Sequence, residues 1–257
     1  MPAFDAVLTL VGGPTVVIDL LGLRIVTDPT FDEPGTYQGG IELEKTSGPA
    51  LSAAEVGPAD AVLLSHDQHF DNLDHAGRAY LARARTTFTT PVAAGRLGGN
   101  AIGLAPWQGA ILEGLNGRRL YVTGAPARHG PPGIEPISGE VAGFLLGVDA
   151  PGDAVYFAGD TVWYEGVAEV ARRFKPALVI LNAGSAEPRG RFHVTMDAND
   201  AIETAHAFPH ARIVAVHNEG WKHFKESQSE LAHAFDVLGL SERLRQLERG
   251  KPERLRF

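Results

Sequence analysis

The chain has 257 residues, 31 acidic against 23 basic, for a net charge of −8, and no cysteine. An acidic balance argues against a general nucleic-acid binder, which needs a basic footprint. The lack of thiols excludes disulfides, thiolate zinc sites, iron–sulfur clusters and cysteine nucleophiles.

Met1–Asp5 carries no basic n-region and no apolar h-region, so no secretion signal is read there. No apolar run approaches the roughly 18 residues of a membrane span. The expected location is the cytoplasm, with no membrane partner. Ala6–Val11, Thr15–Leu20 and Leu23–Thr27 read as strands, separated by Gly12-Gly13-Pro14 and by Gly22. Asp28-Pro29 closes the third, and a loop without periodicity is expected from Asp32 to Pro49.

Three short apolar runs then each end in a residue able to bind metal. Pro58–Ser65 leads into His66, Pro151–Gly159 into Asp160, and Ala211–Val216 into His217. Such runs read as strands buried on both faces. Helical spacing covers Asn72–Arg85, Trp163–Phe174, Met196–Phe208 and Ser227–Leu238, with Thr195 the expected cap of the third. Ser241–Phe257, with six bases and three acids, reads as a solvated helix and tail. No linker-like composition divides the chain, so one domain over residues 1–257 is expected. Strands mixed with helices suggest sheets covered by helices. Ligands collect at the carboxyl ends of strands in open α/β sheets, which would bring His66, Asp160 and His217 together.

The densest polar string is Ser65-His66-Asp67-Gln68-His69-Phe70-Asp71-Asn72-Leu73-Asp74. Its carboxylates repel one another, and a divalent cation removes that penalty. Neutral imidazole and carboxylate suit zinc, manganese or iron. A solvated loop running into a helix N-terminus would also use these residue types. His129, in the turn Arg128-His129-Gly130-Pro131-Pro132-Gly133, and Asp160, in Gly159-Asp160-Thr161, add two more donors. Each alone fits a hydrogen-bonded loop or a helix cap. Together with His217 they make structural coincidence at four chain positions the weaker reading.

The order His66/His69/Asp71, His129, Gly159-Asp160-Thr161, His217 resembles the metallo-β-lactamase fold superfamily. It is similar in particular to the branch containing L-ascorbate-6-phosphate lactonase and related metal-dependent hydrolases. Thr27-Asp28-Pro29, Phe192-His193-Val194-Thr195-Met196 and His217-Asn218-Glu219-Gly220-Trp221 resemble that branch's supporting segments. The resemblance implies a four-layer αββα sandwich of α/β class, with one or two divalent metal ions at the edge of the two sheets. It implies a first site of His66, His69 and His129, bridged or completed by Asp160, and a second of Asp71, Asp160 and His217. Two departures stand out. The family's His-x-His-x-Asp-His string here carries one extra residue, leaving His66 or Asp67 as the first ligand, with His66 preferred for directly following the strand. Asn72 also replaces the final His.

The function implied is a metal-dependent hydrolase, with zinc first and manganese or iron as alternatives. A metal-activated water would cleave an ester, lactone or phosphoester of a small molecule. Asp71 is the candidate to orient that water, and His193 the candidate to contact substrate. His75, His206, His210, His223 and His233 are expected on the surface or in packing. Two alternatives remain: a metal- or ligand-binding protein with reduced catalysis, and a superfamily nuclease, which the acidic charge disfavours. Homo-oligomerisation stays open. No Gly-x-Ser-x-Gly or phosphate-binding Gly-x-x-x-x-Gly-Lys string is present.

Overall fold

The computed structural model describes residues 4–114 and 117–257, so the Met1–Ala3 part of the leader reading lies outside the described residues. In chain order, β1 (Asp5–Gly12), β2 (Thr15–Leu20) and β3 (Leu23–Thr27) start the first sheet, and β4 (Gly35–Tyr37) and β5 (Leu43–Lys45) form a hairpin. Then come α1 (Ala53–Val56), β6 (Ala59–Leu63), α2 (His75–Tyr80), β7 (Ala84–Thr89), α3 (Pro91–Leu97) and β8 (Ala101–Gly103). The second half holds β9 (Gly109–Glu113), β10 (Arg119–Pro126), α4 (Glu135–Ser138), β11 (Ala142–Gly147), β12 (Val155–Phe157), α5 (Glu165–Arg173) and β13 (Leu178–Asn182). It ends with α6 (Ala198–Ala207), β14 (Arg212–Val216), α7 (Gln228–Val237), β15 (Leu244–Arg245) and β16 (Pro252–Arg256).

Two seven-stranded sheets result, ordered β16-β1-β2-β3-β6-β7-β8 and β15-β14-β13-β12-β11-β10-β9. Alternation along each strand decides the layers, because successive side chains face opposite sides. In β12, Val155 and Phe157 enter the core between the sheets, while Tyr156 faces the helices. In β14, Val214 and Val216 face inward and Ile213 and Ala215 outward. The outer face of the second sheet is covered by α5, α6 and α7 through Val167, Ala201 and Leu231. The outer face of the first meets α1 and α2 through Val56 and Tyr80. Two helical layers on two sheets make the αββα sandwich. Strands β12, β13 and β14 are mutually parallel, as are β3, β6 and β7, so within each set the carboxyl ends lie on the same edge.

Four local readings need correction. The loop from Asp32 to Pro49 contains the β4–β5 hairpin, whose three-residue strands are too short to show a period. The helix expected over Asn72–Arg85 is only α2 and a following turn, and the Thr-rich run Ala84–Thr89 becomes β7, as β-branched residues favour. Helix α6 is capped by Asp197, not Thr195, whose hydroxyl instead accepts the Ala186 N–H at 2.9 Å. The C-terminal tail folds back as β16, pairing antiparallel with β1.

Asp74 ties the hairpin to this frame. It caps α2 through Gly77 N, accepts the Phe31 and Asp32 N–H groups at 2.9 and 2.8 Å, and pairs with the buried Lys45 ammonium at 2.9 Å. Gly77 is required there, since a Cβ would stand 1.8 Å from Pro29 O. Removing one partner of a buried pair leaves an uncompensated charge. Asp74→Ala is therefore expected to destabilise the protein by about 3–5 kcal/mol, read from urea unfolding. The exposed Lys222–Glu44 pair, opened by Lys222→Ala, should change stability by less than about 1 kcal/mol.

Candidate metal centre

His66 follows β6, Asp160 follows β12 and His217 follows β14, each within three residues of the strand's carboxyl end. His129 follows β10 and Asp28 follows β3 at the same edge. Gly159 allows this convergence: its φ is +65°, and a Cβ would press to 2.9 Å from Ser65 Cβ. Two non-glycine residues here, Asp28 (φ +26°) and His217 (φ +61°), hold left-handed backbone. Such strain persists only where the surroundings over-determine it, and it clusters at functional sites.

The first cluster is His66, His69 and His129. His66 Nε2 lies 2.8 Å from His69 Nδ1, and His129 Nε2 lies 3.1 Å from the same atom. Their tautomers follow from the partners behind them. Ser65 Oγ donates its only proton to Asp28 Oδ2 at 2.8 Å, so it can only accept from His66 Nδ1 at 2.9 Å. Val194 O accepts from His129 Nδ1 at 2.7 Å. Both Nε2 atoms therefore present lone pairs to the cluster centre. Burial, with His69 and His129 adding to it, holds His66 well below the ordinary imidazole pKa. Burial also takes His69 down to about 4, so these rings stay neutral and able to ligate.

The second cluster is Asp71, Asp160 and His217, all buried. His217 Nε2 lies 3.5 Å from Asp71 Oδ2, and Nδ1 lies 3.3 Å from Asp160 Oδ1. Asn182 Nδ2 donates to Asp160 Oδ1 at 2.6 Å, while Oδ2 points toward His129 Nε2 at 3.7 Å. Burial opposes ionisation of Asp160, but His217, His129 and His66 outweigh it and lower its pKa. Burial likewise opposes the charge on Asp71, and His217 and His223 overcome it. Asp160 Oδ2 and both ring nitrogens of His217 are buried without a hydrogen-bond partner. Buried polar atoms of native proteins are rarely left unpaired. Facing imidazole lone pairs beside two ionised carboxylates are the donor set that a divalent cation satisfies, so these residues fit a metal.

The placement of the string's other residues settles its geometry. Asp67 turns away from the cluster, where Arg96 Nε donates to its Oδ2 at 3.0 Å, and His66 faces inward. The extra residue is thus taken up by a bulge anchored on α3. Asn72 donates to Asp28 Oδ2 at 3.0 Å, and its Oδ1 is buried without a hydrogen-bond partner. Burial and the nearby Asp160 raise Asp28 to about 7.

Two expectations are corrected. His193 does not line the cavity above the clusters. The acids of its own following helix capture it, with Nε2 3.2 Å from Asp200 and Nδ1 3.7 Å from Asp197, and the Asp200 hydrogen bond raises its pKa. His223 is not a surface or packing residue. Its Nε2 lies 3.0 Å from Asp71 Oδ2, and it forms part of the cavity wall. Sequence reading placed Asp28 only within a supporting segment and missed Ser65 and Asn182 as supports. Asp28 and Asn182 both share the strand-end signal of the ligands.

Residues 23–218 match the family described as a beta-lactamase superfamily domain. The UPF0173 protein YddR of Bacillus subtilis strain 168 is 25% identical over 245 residues, which cover 91% of this chain and 94% of that protein. The crystal structure of an isothiocyanate hydrolase from Delia radicum gut bacteria is similar with a TM-score of 0.81 at 23% identity, covering 98% of this chain and 100% of that one. A possible metal-dependent hydrolase from Veillonella parvula DSM 2008 is similar with a TM-score of 0.78 at 18% identity, covering 98% and 99%. The family match takes in both strand-end clusters, from His66 to His217, and the chain belongs to the beta-lactamase superfamily domain family.

Proposed function

We propose that the protein is a metal-dependent hydrolase of a small-molecule ester, lactone or phosphoester. The observation that carries this reading is the convergence of His66 Nε2, His69 Nδ1 and His129 Nε2, with two of the three rings locked in the ligating tautomer. His66, His69 and His129 would hold one ion, and Asp71, Asp160 and His217 would hold a second. Zinc suits these donors first, with manganese or iron as alternatives. A divalent cation so held supplies acidified water near neutral pH and polarises a carbonyl or phosphoryl oxygen.

The chain's own residues do the rest. Asp71, ionised and facing the cavity, accepts a proton from water positioned there. His223 fixes the Asp71 carboxylate by its 3.0 Å contact. His223→Ala is expected to lower turnover by roughly 10–100-fold, as loss of a group that orients a ligand does. The fall should appear in kcat rather than KM. The isothiocyanate hydrolase of similar fold adds isothiocyanates to the substrates worth assaying.

The test is elemental mass spectrometry on protein purified without added metal, followed by chelation, reloading and assay against esters, lactones and phosphoesters. The expected result is about one to two equivalents of metal, with hydrolysis lost on chelation and restored on reloading. A chain that neither carries nor takes up metal would sink the reading.

A further inference from the structure

The cavity above the two clusters has a polar end and an aliphatic wall. His69, Asp71, His129 and His223 form the polar end. The wall is Ile41 and Leu43 from the β4–β5 hairpin, Ile134 and Ile137 at α4, and Ala186 and Val194 from the segment before α6. Apart from the exposed Ile137, the wall residues belong to two apolar clusters, one built on Tyr37, Leu43 and Trp221, the other on Ile134, Ala186 and Val194. The hairpin side is fixed by the buried Lys45–Asp74 pair, so Leu43 is held in place.

Polar recognition along this wall is sparse. The Ser138 hydroxyl is turned to the Ile134 and Gly139 carbonyls, at 3.4 Å each. Arg189 is the one cation among the lining residues, and it is exposed at the mouth. Ile137 leaves 58% of its surface in water, a large aliphatic side chain with nothing packed over it at the rim.

We infer that the site takes small neutral substrates with a hydrocarbon body, which lies along Ile41, Leu43, Ile134, Ile137 and Val194 while the bond to be cleaved meets the polar end. This rests on the hydrolase reading and narrows its substrate range to carboxylic esters and lactones. A sugar body set against this wall would lose its hydration without gaining partners, which is unfavourable, and a phosphate body would find Arg189 alone among the lining cations, exposed and able to stay hydrated. A hydrocarbon body gains with each methylene buried. In the reaction, the oxygen of water bonds to the carbonyl carbon and the acyl C–O bond breaks. One water proton goes to the leaving alkoxide, and the acid product releases its proton to solvent.

The experiment uses the full zinc-loaded chain with p-nitrophenyl acetate, butyrate and hexanoate, alongside p-nitrophenyl phosphate and its bis-ester. From acetate to hexanoate, kcat/KM is expected to rise at least about tenfold, with both phosphoesters far slower than hexanoate. Ile137→Asp, at a position exposed enough for the chain to fold, is expected to lower kcat/KM for hexanoate about tenfold more than for acetate. A flat chain-length series, or a phosphoester cleaved faster than hexanoate, overturns the inference and leaves the hydrolase reading standing. If no probe is turned over by metal-loaded protein, the hydrolase reading fails instead. Calorimetric binding of hexanamide then decides for the cavity: binding weakened by Ile137→Asp supports the apolar wall, and no binding to wild type overturns it.

Discussion

Replacing Asp160 with asparagine is expected to strip metal from the protein and lower hydrolysis by roughly 10³-fold. The magnitude follows from the several kcal/mol that a metal ion contributes to charge stabilisation, at about 1.4 kcal/mol for each tenfold in rate. Asp160 is the hinge of the site. It is fully buried, and it is the carboxylate that faces both clusters, with His217 at 3.3 Å and His129 at 3.7 Å. Asparagine keeps the shape and can keep the Asn182 contact, so the fold should survive, as circular dichroism can verify. What it removes is the charge of one of three neighbouring buried carboxylates, the others being Asp28 and Asp71. Amide oxygen is a weak ligand for a borderline cation. A second readout follows from the charge alone. Asp160 helps to raise Asp28 to about 7, so in the chelated variant Asp28 should titrate lower than in the chelated wild type. Full metal stoichiometry and turnover in Asp160→Asn would show that the two clusters are not a joint metal centre.

The residues of the centre were legible where their chemistry is concentrated in short strings at strand ends. Val155–Phe157 and Arg212–Val216 are apolar on both faces, so each reads as an interior strand, and the polar residue that follows must emerge at the sheet edge. That reasoning reaches Asp160 and His217 without any structure. It reaches neither the direction of a side chain nor a partner distant in sequence. Asp67 and His66 are adjacent and equally able to ligate, and only the position of Arg96 on α3 sends Asp67 outward. His223 meets Asp71 across 152 residues, a distance no local pattern encodes. His193 sits in a string like those of the true cavity residues, yet Asp197 and Asp200, one turn and two turns further on, bind it first. The shortest strands failed for a related reason. Three residues in β4 and in β5 give too few positions for a period of two, and the hairpin is anchored through Lys45 by Trp221 and Asp74, both far from it in sequence.

Removing the metal is expected to lower the melting temperature by roughly 10 °C near neutral pH. A ligand present at a thousand times its dissociation constant stabilises by about 4 kcal/mol. In a domain of this size each kcal/mol moves the midpoint by about 2–4 °C. The unpartnered Asp160 Oδ2 and His217 nitrogens are the groups whose burial the ion offsets. The dependence on pH sets this site apart from an exposed histidine site. An ordinary imidazole binds a proton below about 6.5, and the proton then competes with the metal. His69 is depressed to about 4 by burial and His66 lies well below its ordinary value for the same reason. In the unfolded chain both rings take up protons as the pH falls past 6.5, and in the folded protein they do not. Their contribution to stability is therefore present above 6.5 and is lost as the pH falls through about 4. Metal bound through these rings should persist at about pH 5.5, where imidazoles of ordinary pKa are mostly protonated. Differential scanning calorimetry with and without chelator, at about pH 7.5, 5.5 and 4, checks this. The gap between the two melting temperatures should persist at the second value, narrowed because Asp160 and Asp71 raise the pKa of buried His217 and its proton competes with the metal, and should collapse at the third. A gap already gone at pH 5.5 would mean that the rings titrate as exposed histidines and that the metal is not held through them.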